Sequence, residues 1–419
     1  MSKTIPATDY CYSIFDGTHD TPKQSDIGYP LVTSKHMTGD ILNISEAYLI
    51  SNEDFESINR RSKVSQWDIL FSMIGTVGEV YLERSSSINY AIKNIGVFSC
   101  KDEKRAEWLY YYLRSPAARK HIQRYLSGAV QKFLSLGALR YFPVLPFDEK
   151  AIVAIGIVAA IDKKIELNNR INAELEAMAK TLYDYWFVQF DFPDDSPQGQ
   201  CKPYKTSGGK MVYNPTLKRE IPEGWEASNV LKVANLLGGG TPTKTKKEYW
   251  NGTIPFFTPT DSDKNIFSVE TEDYITAEGL KKSSTRLFEP YTVFITARGS
   301  VGRLALNSVP MAMNQSCYAL RAKDGISYTF LFFLTKELIH HLEVKASGSV
   351  FNSIVSNDIE YTNLAVPGDL TLMEKYAAIV EPIFEKIEST TKENKKLSSL
   401  RDWLLPMLMN GQVTVGEAS

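Results

Sequence analysis

A chain of 419 residues, 43% of them apolar and 23% charged, has room for two or three globular domains. Lys and Arg number 47 against 49 Asp and Glu, so the net charge of −2 excludes an overall basic surface; basic residues gather instead in RRSK (60–63), KTKK (244–247) and KKSSTR (281–286). The start MSKTIPATDY has no apolar signal core, the apolar run Ala151–Ile161 is too short to span a bilayer, and Cys11, Cys100, Cys201 and Cys317 suit neither a metal site nor a disulfide framework, which points to a cytoplasmic protein with reduced thiols.

Taken in chain order, DILFSMI (68–74) and YTVFITA (291–297) are rich in β-branched and aromatic residues and predict strands. KRAEWLYYYLRSPAARKHIQRYL (104–126) and ISYTFLFFLTKELIHHLEV (326–344) place apolar residues at three and four spacing and predict helices. A long helix is expected from about Asp148 to Phe187, with Asp148 as N-cap after Pro146. A second is expected from about Thr371 to Leu405, opened by a capping box of Thr371 and Glu374, kinked or broken at Pro382 and terminated near Asn410–Gly411.

The chain is written twice, with offsets of about 220 to 225 residues. YPLVTSK (29–35) matches IPFFTPT (254–260), and ILFSMIGTVGE (69–79) matches VFITARGSVGR (293–303). AIKNIGVFS (91–99) matches MAMNQSCYA (311–319), which sets Asn94 against Asn314. SGAVQKFLS (127–135) matches SGSVFNSIV (347–355), and IDKKIELNNRIN (161–172) matches IFEKIESTTKEN (383–394). Each copy is a mixed α/β segment followed by a long helix. The shared glycines of IGTVG and RGSVG read as a turn built into both copies, and Arg298 belongs to one copy alone.

About forty helical residues extend roughly 60 Å, more than one small domain needs. Ile161, Ile165, Leu175 and Leu182 follow seam spacing, as do Ile383, Ile387, Leu397 and Leu404, with Asn172 and Asn394 at matching interruptions. The expected fold is α+β: two pseudo-repeated α/β target-recognition domains separated by two long antiparallel helices, a coiled-coil rod, in a dumbbell of pseudo-twofold symmetry. The segments are 1–147 for the first domain, 148–190 for the first long helix and 191–226 for a connector. The second domain takes 227–368, the second long helix 369–411 and a tail 412–419. Two related heads on a rod suit a ligand with two sites at fixed separation, and duplex DNA is such a ligand.

LLGGGTPTKTKKEYWNGTIPFFTPTD (236–261), ARGSVG (297–302), MAMNQSCYAL (311–320), IPEGWE (221–226) and the connector GGKMVYNPTLKREIPEGWE (208–226) after LYDYWFVQFDF (182–192) resemble the DNA-specificity subunit of type I restriction–modification systems. The resemblance covers nearly the whole chain and is looser in the first half, where DGTHDTPK (16–23) is similar to a motif of some target-recognition domains. It implies a non-catalytic subunit of a multisubunit methyltransferase/endonuclease that binds double-stranded DNA at a bipartite target, one half-site per domain, in a prokaryotic cytoplasm. The implied partners are two methyltransferase subunits, which flip an adenine out for N6 methylation, and restriction subunits; no membrane is involved. It also implies that Met1–Ile14 packs near the C-terminal helix. No cofactor is expected in this chain: S-adenosylmethionine would belong to the methyltransferase and ATP and Mg to the restriction partner.

The residues agree with a non-enzyme. NPTL (214–217) lacks the aromatic and second proline of a methyltransferase NPPY motif, GGGTPTKT (238–245) lacks the P-loop spacing, and no histidine pair has useful metal spacing. The alternatives are a duplicated enzyme that holds a nucleotide on GGGTP or RGSVG, and a protein-binding scaffold. By the chemistry of base and phosphate contacts, the candidate DNA-binding residues of the first head are Thr18, His19, Lys23, Thr33, Ser34, Lys35, Thr76, Asn94, Gln131 and Lys132. Those of the second are Thr241, Lys244, Thr258, Thr260, Arg298, Ser300, Asn314, Gln315 and Asn352. Ile161, Ile165, Asn172, Leu175, Leu182, Ile383, Ile387, Asn394, Leu397 and Leu404 are the candidates for rod formation and partner docking, and no residue is expected to be catalytic or to bind metal.

Overall fold

The computed structural model describes residues 4–39, 41–126, 132–195, 199–262, 265–346, 353–409 and 412–413. The chain divides into two compact units, one made of residues 1–164 with 397–419, the other of residues 165–396. Among the described residues no helix is long and apolar enough to cross a membrane.

The first unit is built on an antiparallel sheet in the order Ser13–Asp16, Ile95–Ser99, Asp68–Ser72, Val80–Leu82. Residues on the two central strands are buried on both faces, which is why they read as continuous apolar runs rather than alternating ones. A smaller sheet sets Tyr29–Val32 between Leu49–Ile50 and Ala91–Ile92, the latter pairing parallel. The second unit repeats both. Its sheet runs Ala234–Gly238, Cys317–Ala322, Val293–Thr296, Leu304–Asn307 in the same order and gains an edge strand, Phe267–Ser268. Its smaller sheet sets Trp250–Phe257 between Asp273–Ile275 and the parallel Ala312–Met313. The duplication is therefore one of topology as well as sequence.

Helix expectations were met in part. The segment after the first sheet forms two helices, Glu103–Arg114 and Pro116–Tyr125, where the sequence pattern suggested one. Pro116 forces Ser115 into extended backbone (φ −71°, ψ 155°), and the Ser115 hydroxyl caps the second helix at Ala118 N, 3.2 Å. The second unit has no proline there and forms a single helix, Tyr328–Lys345. Each unit is closed by the same device: Ile5–Pro6 pairs with Pro143–Val144, and Trp225–Ser228 pairs with Leu364–Pro367. The repeat thus begins at the amino terminus and again at IPEGWE. Ala7, Tyr10, Cys11 and Ile14 share an apolar cluster with Leu405, Leu408 and Met409, the packing expected of the N-terminal segment.

The first long helix runs Glu149–Tyr183 and continues as a π-turn through Asp184–Val188. Asp148 caps it, its carboxylate accepting Ala151 N at 2.9 Å. The second runs Leu370–Met409, and one expectation for it is corrected and another narrowed. Asp369 rather than Thr371 is the cap, accepting both Thr371 N (3.0 Å) and Thr371 Oγ1 (2.9 Å). Of the kink or break expected at Pro382 the break is absent: the helix runs on through it, with Val380 and Phe384 buried on either side. The expected terminator Asn410–Gly411 lies outside the described residues.

Within the second unit the two long helices run antiparallel, as the bonds Asn168–Asn394, Asn172–Thr391 and Tyr376–Ala179 demonstrate. Asn172 and Asn394 occupy matching repeat positions but do not meet. Asn172 Nδ2 donates to Thr391 Oγ1 at 3.3 Å, and Asn394 Nδ2 donates to Asn169 Oδ1 at 2.8 Å. Thr391 and Asn169 are themselves repeat equivalents, so the two bonds are related by a local pseudo-twofold axis. Asn168, which the seam pattern missed, is buried and donates to Asn394 Oδ1 (2.7 Å) and Glu393 Oε2 (2.8 Å). The seam residues Leu175, Leu182 and Ile383 pack half-buried on the aromatic cluster around Ile387, and Leu404 packs on the core of the first unit. Ile161 is buried, and Ile165 and Leu397 are half-buried. The helix side chains left outward are others, Met178 (60% exposed) and Trp403 (63% exposed) among them.

The glycine turn is the same object in both units. Gly75 and Gly78 have φ of 80° and 101°, Gly299 and Gly302 have 86° and 84°, a region that side chains with a Cβ avoid. A buried hydroxyl knots each turn: Ser72 Oγ donates to Thr76 O (2.5 Å) and accepts Glu79 N (2.8 Å). In the second unit Thr296 Oγ1 donates to Ser300 O and accepts Arg303 N at 3.0 Å.

Thr296→Val should leave Arg303 N–H and Ser300 C=O without that partner and cost about 1–3 kcal/mol in a urea melt. Phe384, fully buried among Phe267, Tyr328, Phe332 and Phe333, should cost about 3–5 kcal/mol on Phe384→Ala, read in the same way.

Candidate nucleic-acid interface

In each unit the loops that leave the two sheets converge on one edge, and a glycine makes the convergence possible. Gly17 follows the first strand of the main sheet and crosses the parallel strand at Ile92; a Cβ on it would lie 2.4 Å from Ile92 O. Gly239 crosses the equivalent strand, and a Cβ on it would lie 2.1 Å from Asn314 O. Only a residue without a side chain permits this approach. The next residue then bonds across, Thr18 N to Ile92 O (3.1 Å) in one unit and Gly240 N to Met313 O (2.9 Å) in the other.

Backbone pairing corrects one sequence register. Lys93 N donates to Val32 O (2.9 Å) and Asn314 N donates to Phe257 O (3.0 Å), so Lys93 is the equivalent of Asn314. Asn94 is the equivalent of Gln315. The asparagine identity drew the alignment one residue out of place; AIKN against AMNQ is the pairing that the strands make.

Around the crossing in the second unit stand most of its predicted residues. Thr241 Oγ1 donates to Gln315 Oε1. Asn314 Oδ1 accepts Ser316 N at 3.0 Å, which shapes its loop. Arg298 is exposed; its backbone bridges to Ser353 and donates to Ser316 O at 3.2 Å. A Cβ on Gly299 would lie 3.6 Å from Pro259, so the turn abuts the Thr258–Asp261 loop. There Thr258 caps a short 3₁₀ turn, with N and Oγ1 both donating to Asp261 Oδ2 (2.8 and 2.7 Å), and its hydroxyl meets Thr260 at 2.7 Å. Ser300 is half-buried within the turn, and Lys244 is exposed on the loop after Thr241. In the same basic run, Lys246 lies over the Tyr249 ring at 5.2 Å.

The first unit assembles the counterpart. His19 Nδ1 donates to Asn94 Oδ1 at 2.7 Å, while Nε2 meets the Asp16 carboxylate at 3.1 Å. Ser34 lies 3.9 Å from where a Cβ on Gly75 would stand, and Ile74 bridges to Phe133, the equivalent of Arg298 to Ser353. Thr33 caps its 3₁₀ turn with His36, whose Nδ1 accepts Thr33 N at 2.9 Å; burial lowers the pKa of that imidazole, keeping it an acceptor. Lys23, Lys35, Thr76 and Lys132 are exposed on the surrounding loops. Thr18 is buried, and its hydroxyl accepts Asp20 N at 3.1 Å; its contribution is to the shape of the loop. Gln131 and Asn352 lie outside the described residues. Sequence reasoning missed Lys93, which donates to Thr21 Oγ1, and the loop partners Phe133, Pro259, Ser316 and Ser353. The one-residue register was the available signal for Lys93; loop-to-loop contacts leave no periodic trace.

The turn at Arg298–Gly302 spends three of its five amides on backbone oxygens. Arg298 N, Val301 N and Gly302 N bond to Ser316 O, Gly299 O and Thr296 O, and the first unit repeats the last two bonds at Val77 and Gly78. The shared bonds and the positive-φ glycines make this the same corner in both units.

A family model described as the type I restriction modification DNA specificity domain matches residues 19–177 and 222–399, one match per repeat. The type I restriction enzyme MjaIX specificity subunit of Methanocaldococcus jannaschii is 25% identical over 83% of this chain and 78% of its own length. The HindI specificity subunit of Haemophilus influenzae is 24% identical over 96% of this chain and 99% of its own. Among solved structures, the S subunit of a type I restriction–modification system from M. genitalium aligns with a TM-score of 0.53 at 14% identity, over 97% of this chain and 96% of that one, a likeness of fold. With the family model spanning both repeats, the chain belongs to the type I restriction modification DNA specificity family.

Proposed function

We propose that this chain is the non-catalytic DNA-specificity subunit of a type I restriction–modification complex and reads a bipartite duplex target, one half-site per repeat. The observation that carries the reading is the paired loop cluster: one scaffold, made twice, presenting different side chains at equivalent positions. Arg298 stands where the first unit has Ile74, Gln315 where it has Asn94, and Thr241 where it has His19. A shared frame with exchanged side chains is what recognition of two different half-sites requires, since sequence is read by side chains on base edges while the frame positions them.

In this reading residues 1–147 and 227–368 are the recognition domains, and the helices at 148–190 and 369–411 set the spacer and receive two methyltransferase subunits. The methyltransferases bring S-adenosylmethionine and carry out N6-adenine methylation; restriction subunits bring ATP and Mg. The assembly works in the cytoplasm of a prokaryote. Among the candidate readers, Arg298 and Gln315 suit base edges, and Lys23, Lys35, Lys132 and Lys244 suit phosphates, where they add salt-dependent affinity without sequence preference.

The test is to combine the chain with its methyltransferase and S-adenosylmethionine and to map N6-methyladenine in bulk DNA. A bipartite motif that disappears when this chain is omitted is the expected result; a methylation pattern indifferent to the chain refutes the proposal. Arg298→Ala should relax a single position in one half-site, with a loss of about 1–3 kcal/mol in discrimination. Equal weakening at both half-sites would assign Arg298 to the phosphates instead.

A further inference from the structure

One contact recurs at the crossing in both units although neither of its residues is the same. In the first unit it joins His19 to Asn94, in the second Thr241 to Gln315. The equivalence rests on backbone alone: Thr18 N and Gly240 N bond to the matching carbonyls Ile92 O and Met313 O, which sets His19 against Thr241, and the parallel ladders set Asn94 against Gln315. These pairs belong to none of the apolar clusters; Gln315 is exposed, and the His19 side chain is 65% exposed. A surface contact rebuilt from new side chains at one place in the frame has little to contribute to the core.

We infer that Asn94 and Gln315 are the equivalent base-reading amides of the two units and that His19 and Thr241 are positioning residues that hold them. This rests on the DNA-reading proposal above. In each pair a donor on the glycine loop bonds the amide oxygen, which fixes the amide plane. The amide NH₂ and the second lone pair on its oxygen remain, and together they match the N7 acceptor and N6–H donor of adenine in the major groove. Holding the side chain in place beforehand removes rotamer freedom that binding would otherwise have to take away. The two units solve the same problem with different reach. Imidazole is large, and its Nε2 lies 3.1 Å from the Asp16 carboxylate, an acceptor that braces the ring when both nitrogens carry hydrogen. Threonine is short, and Gly238 stands where Asp16 does, with no side chain to brace anything.

The experiment uses the full chain in complex with its methyltransferase and S-adenosylmethionine and reads the methylated motif by sequencing. Asn94 has φ of 53°, a conformation that asparagine tolerates, so the informative variant is Asn94→Gly, which keeps that backbone and deletes the amide. Asn94→Gly should relax one A·T position in one half-site, and Gln315→Ala one A·T position in the other, each by about 10-fold or more. His19→Ala should relax the same position as Asn94→Gly, while His19→Asn, which keeps a donor near the place of Nδ1, restores it. Thr241→Val should act at the position of Gln315→Ala, and Thr241→Ser should preserve the wild-type motif. An unchanged motif in Asn94→Gly and Gln315→Ala, or a His19→Ala effect at a different base, overturns the assignment. A wild-type complex that yields no bipartite motif instead refutes the DNA-reading proposal, so the two failures are separable.

Discussion

Everything at the candidate interface depends on two glycines that let one strand's backbone pass against another. At Gly17 and Gly239 a Cβ would stand 2.4 and 2.1 Å from a facing carbonyl oxygen, so any other residue would push the crossing strands apart. The close passage carries Thr18 and Gly240 into bonding distance of the parallel strand, and the residues that follow them, His19 and Thr241, arrive beside Asn94 and Gln315. The knotted turn at Gly75–Gly78 and Gly299–Gly302 supplies the neighbouring wall. Rigid backbone at these two places leaves the side chains around them free to change without disturbing the fold.

That division explains how one frame serves two readings. The hydroxyl that knots the turn is serine in one unit and threonine in the other, and both donate and accept the same bonds. The 3₁₀ cap is closed by His36 in one and Asp261 in the other, each accepting the backbone N–H of the capping threonine. Positions that build the frame exchange for chemically equivalent groups. At the loop tips Ile74 and Arg298 exchange for different groups, as do His19 and Thr241, while Asn94 and Gln315 keep an amide. Changes of this second kind are what the proposed reading of two different half-sites would require.

Much of this was legible in the sequence because duplication shows itself as repeated order. The strands, the glycine turn, the Asp148 cap and both long helices followed from pattern and spacing. The register at Asn94 did not, since a chance identity with Asn314 outweighed the alternation that sets AIKN on AMNQ. The break at Ser115 was written in Pro116, but the apolar spacing on both sides of it suggested a continuous helix. Pro382 offered a kink or a break, and the helix runs on through it with Val380 and Phe384 buried on either side. Asn168 hid in the seam because its partners, Glu393 and Asn394, lie more than two hundred residues away, at separations of 225 and 226. Local pattern describes elements; contacts between distant loops and helices are decided by packing.

The central claim is that each repeat reads its own half of the target on a common frame. It is tested most directly by replacing residues 227–368 with the corresponding segment of the Haemophilus influenzae HindI relative and sequencing the methylated motif of the reconstituted complex. One half of the motif should change while the other half and the spacer persist. A change in both halves, or in neither, would contradict the account.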